Sequence, residues 1–149
     1  MRLSPDFNAF VDACVARGVR FLVVGGYALA AHGHPRMTKD LDVLVEPEPA
    51  NAERLIAALA DFGFGAIGLT AADFTEPGAV IQLGYPPLRI DLLTSLDGVP
   101  FEEAYEGRVE IDVDGRPIPV IGRDALIANK RATGRHQDLA DVERLESDG

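Results

Sequence analysis

The chain has little cysteine, little positive charge and no long apolar stretch. Its single cysteine, Cys14, excludes a disulfide within the chain. It has 14 Lys and Arg residues against 24 Asp and Glu, a formal net charge of −10, which argues against a broad nucleic-acid-binding face. The apolar runs are too short to span a bilayer, and the amino terminus lacks a signal-peptide pattern. We therefore expect a cytoplasmic protein that binds neither a membrane nor long nucleic acid.

The length and composition predict a single domain. A chain of 149 residues, 47% of them hydrophobic, can bury a core of the usual size for one domain. The sequence contains no repeat, low-complexity tract or linker that would divide it. We expect one domain over residues 1–149, with a core at about 19–96 and a carboxyl-terminal hairpin and helices at about 107–147.

Three aspartates stand as isolated charges inside apolar, strand-like runs. Asp40 and Asp42 occupy alternate positions, so a strand projects both from one face and Leu41 from the other. If the strand that carries Asp91 lies alongside, all three carboxylates converge. Two carboxylates about 4 Å apart repel by about 4 kcal/mol at an effective dielectric constant of about 20, so a cation is needed. Carboxylate oxygens suit Mg²⁺ or Mn²⁺ better than Zn²⁺.

A glycine pair supports the same interpretation. Gly25 and Gly26 follow a predicted strand at residues 20–24 and precede a predicted helix at 27–31. Glycines in front of a helix allow phosphates to approach backbone N–H donors closely. An Asp-x-Asp pair also occurs by chance at strand ends, so the prediction of a site depends on the order of glycine pair, paired acids and lone acid.

Apolar spacing, glycines and prolines predict the remaining elements. Further helices are predicted between residues 4 and 18 and at 50–60, 124–132 and 137–145; further strands are predicted at 40–46, 79–83, 88–94, 109–113 and 117–121, with a short strand and a loop over 64–78.

The predicted strands carry two topological expectations. A four-residue connection makes the strands at 79–83 and 88–94 antiparallel neighbours. An Asp-Gly turn at 114–115 predicts a hairpin, and Pro117 and Pro119 are expected to place its second arm at an edge of the sheet.

The last two helices are predicted from their end signals and apolar faces. Asp124 is expected to cap the first of them, and Gly134 to end it. In the final helix, Leu139, Val142 and Leu145 are expected to point inward.

These residues resemble the nucleotidyltransferase-fold superfamily, the polymerase-β-like group. Its pattern is an apolar strand, Gly followed by Gly or Ser, a short helix, Asp-x-Asp on the next strand and a third Asp on a later one. The stretch at 126–142 looks like the tail of small bacterial members, including those similar to abortive-infection toxins. The resemblance implies an α/β (α+β) fold, a mixed sheet flanked by helices with a carboxyl-terminal hairpin and two helices.

The resemblance also implies an activity. Members of the group transfer a nucleoside monophosphate from a nucleoside triphosphate to an acceptor hydroxyl, here on a protein, a tRNA end or a small molecule. Asp40 and Asp42 would hold two divalent ions, Mg²⁺ or Mn²⁺. Asp91 would complete the site of the ion that binds the acceptor oxygen and, as a hypothesis, receive that hydroxyl's proton. A toxin-like role with a cognate partner protein is also implied.

A triphosphate needs protein cations beside the metal ions. The candidates are Arg36, Lys39 and Lys130, and the resemblance supports Arg36, Thr38 and the acid pair as one unit. The alternative for Arg36 and Lys39 is a solvated loop, and for Lys130 a surface lysine that extends into solvent. Many relatives have Ser in place of Gly26, which offers the triphosphate its amide alone.

Two questions stay open from the sequence. Asp138 and Asp141 either orient Lys130 or Arg135, or act as favourable charges near a helix amino terminus. Because many transferases of this fold use a further domain to hold the acceptor, the short chain leaves a second function open, a non-catalytic nucleotide-binding or partner-binding module that retains the fold.

Overall fold

The computed structural model describes residues 3–35, 38, 40–63, 68–85 and 88–148. Within these residues the chain forms a six-stranded mixed sheet and six α-helices, which confirms the predicted α/β class. The helices are α1 (Pro5–Ala16), α2 (Gly25–Ala31), α3 (Pro49–Phe62), α4 (Phe101–Glu106), α5 (Arg123–Thr133) and α6 (His136–Glu146). The strands are β1 (Phe21–Val24), β2 (Asp40–Val45), β3 (Val80–Tyr85), β4 (Leu88–Leu93), β5 (Val109–Val113) and β6 (Arg116–Val120). No helix in the described part of the chain is long and apolar enough to cross a bilayer.

The strands lie in the order β3-β4-β2-β1-β6-β5. β1 pairs antiparallel with β2 and parallel with β6, and β2 pairs parallel with β4. β3 and β4 are antiparallel neighbours, as predicted, and β5 and β6 form the predicted hairpin. All four residues of β1 are buried, because this strand lies in the middle of the sheet.

The apolar face of the first helix, α1, packs into the core of the protein. Ser4 Oγ accepts a hydrogen bond from the Phe7 amide at 3.2 Å, and this cap starts α1. Phe7, Phe10 and Cys14 lie on its buried face, and α1 packs on α3, where the rings of Phe10 and Phe62 meet edge-on. Burial raises the pKa of the Cys14 thiol, so this cysteine is a core residue.

The expectation that the second hairpin arm lies at an edge is wrong. β6 lies between β1 and β5, and the edge strands are β3 and β5. The amide of Ile121 donates to the Val23 carbonyl, and alternate residues of a strand direct their amides to the same side. The nitrogens of Pro117 and Pro119 therefore face the β1 side, beyond the register pair of Val23 with Val120. The ladder with β5 needs no donor from them.

Other local predictions also need correction. Gly122 occupies the capping position of α5 and Asp124 lies in the first turn, so Asp124 does not cap the helix. Of the segment predicted as a short strand and a loop, residues 68–78 contain a 3-10 helix at Ala71–Phe74 and no strand before β3, while 64–67 lie outside the described residues. The sequence did not predict α4.

The inward face of α6 also differs from the prediction. Leu139 is 46% exposed, although Val142 and Leu145 are buried as expected. Asp138 and Asp141 are buried on the same helix, because they meet a buried lysine of α5, as the site geometry shows.

Candidate active site

The three aspartates lie on one face of the sheet. Asp42 is the register partner of Val24 on β1 and of Asp91 on β4. Register partners in neighbouring strands project their side chains to the same face, and so do residues two apart in one strand. Asp40, Asp42 and Asp91 therefore project together, as the strand period predicted, and the partner strand lies where the third carboxylate can join the pair.

The environment of Asp42 disfavours the charged form of its carboxyl group. Burial, and then the carboxylates of Asp91 and Asp40, raise the pKa of Asp42 to about 7, against a smaller opposite effect of Arg89. A carboxylate with so raised a pKa gains from any cation that comes close. The folded chain therefore holds this carboxylate ready for a positively charged ligand.

Among the described residues, Arg89 is a cation that contacts this cluster. It is the register partner of Asp40 and stands two residues before Asp91, so it shares their face. Its Nη2 donates to Asp40 Oδ2 at 2.7 Å and to Asp91 Oδ2 at 3.2 Å, and its Nε donates to Asp91 Oδ1 at 3.0 Å. Sequence reasoning missed Arg89, although its spacing from Asp91 is the one that identified the aspartate pair.

Gly25 is set directly against the acid cluster. It has a φ of +66°, and a Cβ at this position would overlap the carboxylate of Asp42. The absence of a side chain thus lets β1 turn into α2 beside Asp42. Gly25 has a structural requirement in addition to the phosphate-binding role that the resemblance implies.

Gly26 is constrained by a different neighbour. A Cβ at Gly26 would lie 2.9 Å from Thr38 Oγ1 and 3.0 Å from Thr38 Cβ. Thr38 in turn donates to the Asp40 carbonyl at 3.3 Å. Thr38 therefore occupies the space that the Cβ of a serine would need here, which favours glycine over serine at this position.

A cavity of about 460 Å³ connects the acid cluster with the last two helices. Gly25, Asp42 and Asp91 line one side of it, and Lys130 lines another. The remaining lining residues are Val24, Gly78, Ala79, Val80, Leu93, Ser95, Leu96, Asp97, Asn129, Thr133, Arg135 and Asp138. Four of the predicted site residues therefore line one cavity. Asp40 is a fifth residue of this region, because Arg89 donates to both Asp40 and Asp91. Gly26 and Thr38 lie next to this region but do not line the cavity, and Arg36 and Lys39 lie outside the described residues.

Lys130 is buried, which excludes the alternative of a surface lysine that extends into solvent. Its Nζ lies 2.9 Å from Asp141 Oδ2 and 3.7 Å from Asp138 Oδ1. Burial raises the pKa of Asp138, but hydrogen bonds from Arg135 and Thr133 outweigh it and the net shift is downward. These contacts favour the interpretation in which the two aspartates orient Lys130 and Arg135.

The buried pair of Lys130 and Asp141 gives a stability prediction. Replacing Asp141 with alanine leaves the ammonium in a buried place without this partner, and we expect a loss of about 3 kcal/mol or more in the free energy of unfolding, measured in urea. Asp61→Ala is the matched control, because Asp61 forms an exposed ion pair with Arg17 and should lose less than about 1 kcal/mol. Adding Lys130→Met to Asp141→Ala should recover part of the loss. Equal losses in the two alanine variants would contradict this account of the pair.

The donor set of the cluster suits a hard divalent cation. Three carboxylates on neighbouring strands supply the oxygen ligands that Mg²⁺ and Mn²⁺ prefer. In the described residues, however, no group of three or more His, Cys, Asp or Glu side chains is arranged to hold a metal ion. The guanidinium of Arg89 bridges two of the three aspartates instead.

A mixed sheet with a glycine turn after β1, an aspartate pair on β2 and a third aspartate on β4 is the architecture of nucleotidyltransferases. The family of nucleotidyltransferase AbiEii toxins, of type IV toxin–antitoxin systems, matches residues 9–145. The match spans most of the chain, and the chain belongs to this family. No curated protein matches it.

Solved structures show the same fold at low sequence identity. The antibiotic-resistance factor ANT(2'')-Ia is 17% identical with a TM-score of 0.61, over 97% of this chain and 83% of its own. The lincosamide antibiotic adenylyltransferase LnuA is 13% identical with a TM-score of 0.57, over 97% of both chains. TM1012 from Thermotoga maritima is 14% identical with a TM-score of 0.59, over 95% of this chain and 86% of its own. The predicted nucleotidyltransferase fold is thus confirmed.

Proposed function

We propose that this protein transfers a nucleoside monophosphate from a nucleoside triphosphate to an acceptor hydroxyl, with Mg²⁺ or Mn²⁺ as cofactor. One observation carries the proposal. Asp42 and Asp91 are register partners on parallel strands, Asp40 shares their face, and the cavity beside them reaches Gly25 and Lys130. Family membership supports the reaction class.

The proposed step is a substitution at the α-phosphorus of the triphosphate. The acceptor oxygen forms a bond to that phosphorus, and its proton passes to the carboxylate of Asp91. The bond from the α-phosphorus to the oxygen of the β-phosphate breaks, and pyrophosphate leaves with the electron pair. Divalent ions, when bound by Asp40, Asp42 and Asp91, polarise the phosphoryl oxygens and stabilise the developing charge.

The chain's own residues would hold the triphosphate. Gly25 lines the cavity without a side chain, so a phosphate can approach its backbone closely. Lys130 reaches the cavity from α5 with its ammonium fixed by Asp141, and a fixed cation stabilises charge without reorganisation. We propose Gly26, through its amide, and Thr38 as further residues that bind the triphosphate beside Gly25. Arg36 and Lys39 remain proposed phosphate ligands from the sequence.

A small molecule is the first acceptor class to test, with a protein and a tRNA end as the alternatives. ANT(2'')-Ia has been solved with adenylyl-2''-tobramycin and LnuA with lincomycin, which supports this order. The net charge of −10 also disfavours long nucleic acid. We further propose a toxin-like role in the cytoplasm with a cognate partner protein, because the family belongs to toxin–antitoxin systems.

The metal requirement is tested by removing the ion. Purified protein is incubated with each labelled triphosphate, Mg²⁺ or Mn²⁺, and fractions of cell extract that contain small molecules, tRNA or protein. We expect one fraction to become labelled with release of pyrophosphate. No labelling should occur when the reaction is run in excess EDTA, and labelling should return when Mg²⁺ exceeds the chelator. Transfer that continues unchanged in EDTA would contradict the proposal.

The alternative of a non-catalytic nucleotide-binding or partner-binding module is favoured by one observation. Arg89 already neutralises part of the acid cluster. A site that binds its ligand without a metal ion would need such a protein cation to offset the carboxylates. Calorimetric titration separates the two functions. A binding module takes up the triphosphate, or a partner protein, and yields no pyrophosphate with any acceptor fraction.

A further inference from the structure

The acid cluster contains its own counter-ion. Arg89 donates to one oxygen of Asp40 and to both oxygens of Asp91. The Arg89 side chain is 29% exposed, that of Asp91 13% and that of Asp40 35%, so the contact with Asp91 is the better shielded from water and the contact with Asp40 is partly open to it. The guanidinium is thus held by hydrogen bonds to residues of both β2 and β4.

A divalent ion and Arg89 need the same oxygen atoms. An ion bound by the three aspartates takes lone pairs of Asp40 and Asp91, and the guanidinium already occupies sites on both. As these side chains stand, the described residues form no three-ligand metal group. A guanidinium bound to these carboxylates also offsets part of the negative charge that attracts an ion. The ion and the guanidinium therefore compete for the lone pairs and the negative charge of Asp40 and Asp91.

We propose that Arg89 is a positioning residue that competes with the divalent metal ion, and that metal binding displaces its guanidinium from Asp40 and Asp91. This inference rests on the proposed metal-dependent function. Without the ion, Arg89 offsets the repulsion among the three carboxylates and keeps β2 and β4 in register. With the ion, the metal takes over this role and the guanidinium is released.

The proposal predicts tighter metal binding when the competitor is removed. Free Mn²⁺ is titrated with protein and measured by electron paramagnetic resonance, and thermal unfolding is measured in EDTA and in saturating Mn²⁺. For Arg89→Gln we expect the Kd for Mn²⁺ to fall by about tenfold. In EDTA the variant should unfold at a lower temperature than wild type, and Mn²⁺ should raise that temperature more than it does for wild type.

Two further variants sharpen the test. Arg89→Lys keeps the charge but loses the forked hydrogen bonds, so its Kd should lie between those of wild type and Arg89→Gln. Arg17→Gln removes an exposed guanidinium that pairs with Asp61 on α3 and should leave the Kd unchanged. A residue with a purely structural role would give weaker or unchanged metal binding when replaced.

The outcomes separate this inference from the proposed function. If wild type binds Mn²⁺ and transfers nucleotide while Arg89→Gln and Arg89→Lys bind Mn²⁺ no more tightly, the competition is refuted and the function stands. If none of the proteins binds Mn²⁺, both fail. If Arg89→Gln does not fold, Arg89→Lys decides, and a Kd equal to or above that of wild type overturns the proposal.

Discussion

Asp42→Asn is expected to reduce the rate of nucleotide transfer by at least about a hundredfold, because a metal ion that polarises a phosphoryl group stabilises the transition state by several kcal/mol. Asp42 lies at the centre of the cluster, because it is the register partner of Asp91 and its carboxylate lies against the turn at Gly25. An amide has the shape of the carboxylate but cannot supply a negative ligand. Transfer is measured with labelled triphosphate and the acceptor fraction that the wild-type protein labels.

The control for Asp42→Asn is Asp61→Asn, the same chemical change at an exposed ion pair. It should transfer at the wild-type rate. In cells, induced expression of the wild type should arrest growth, and Asp42→Asn should relieve the arrest at equal protein level. Transfer by Asp42→Asn within about tenfold of wild type would remove Asp42 from the proposed metal site.

The same substitution should leave the protein at least as stable as wild type when metal is absent. Burial and two neighbouring carboxylates raise the pKa of Asp42 to about 7, so above about pH 7, where the group is ionised, its charge opposes folding. Removing that charge removes the repulsion while the side-chain shape is retained. A stabilised but inactive Asp42→Asn protein would match the general trade of stability for function at active sites, and thermal unfolding in EDTA measures it.

Part of this site follows from local sequence rules. The two-residue period of a strand predicts that Asp40 and Asp42 share a face, and the observed β2 has both of them on the side opposite to buried Leu41. The pairing of β2 with β4 could not be predicted from such rules. It joins segments separated by β3 and α3, and the register that sets Asp42 beside Asp91 is a property of the whole sheet.

Two of the differences from the prediction, at Leu139 and at Arg89, share a physical cause. Leu139 was expected inward because apolar spacing assigns helix faces, but α6 buries Asp138 and Asp141 to meet Lys130. Pattern rules assume that buried faces are apolar, so they miss a buried ion pair that exposes Leu139 while Val142 and Leu145 stay buried. Arg89 was missed for a related reason, because the pattern of metal-binding acids contains no position for an arginine that pairs with them.

Gly25→Ala is expected to disable the site through one methyl group. The new Cβ would overlap the Asp42 carboxylate and lie 3.0 Å from its Cγ, and the φ of +66° is unfavourable for alanine. Asp42 then has to move out of line with Asp91. We expect transfer to fall by at least about a hundredfold, as for Asp42→Asn, and the free energy of unfolding to fall by more than about 2 kcal/mol.

Gly115→Ala separates the overlap at Gly25 from backbone strain. Gly115 has a φ of +89°, and a Cβ there would meet nothing within 4 Å. This control should lose about 1 kcal/mol of stability from its dihedral angle and keep full transfer activity. If Gly25→Ala matched Gly115→Ala in both measurements, the contact with Asp42 would have no functional weight. If it loses transfer far beyond its loss of stability, Gly25 is required because it leaves space for a catalytic carboxylate, independently of any phosphate that it binds.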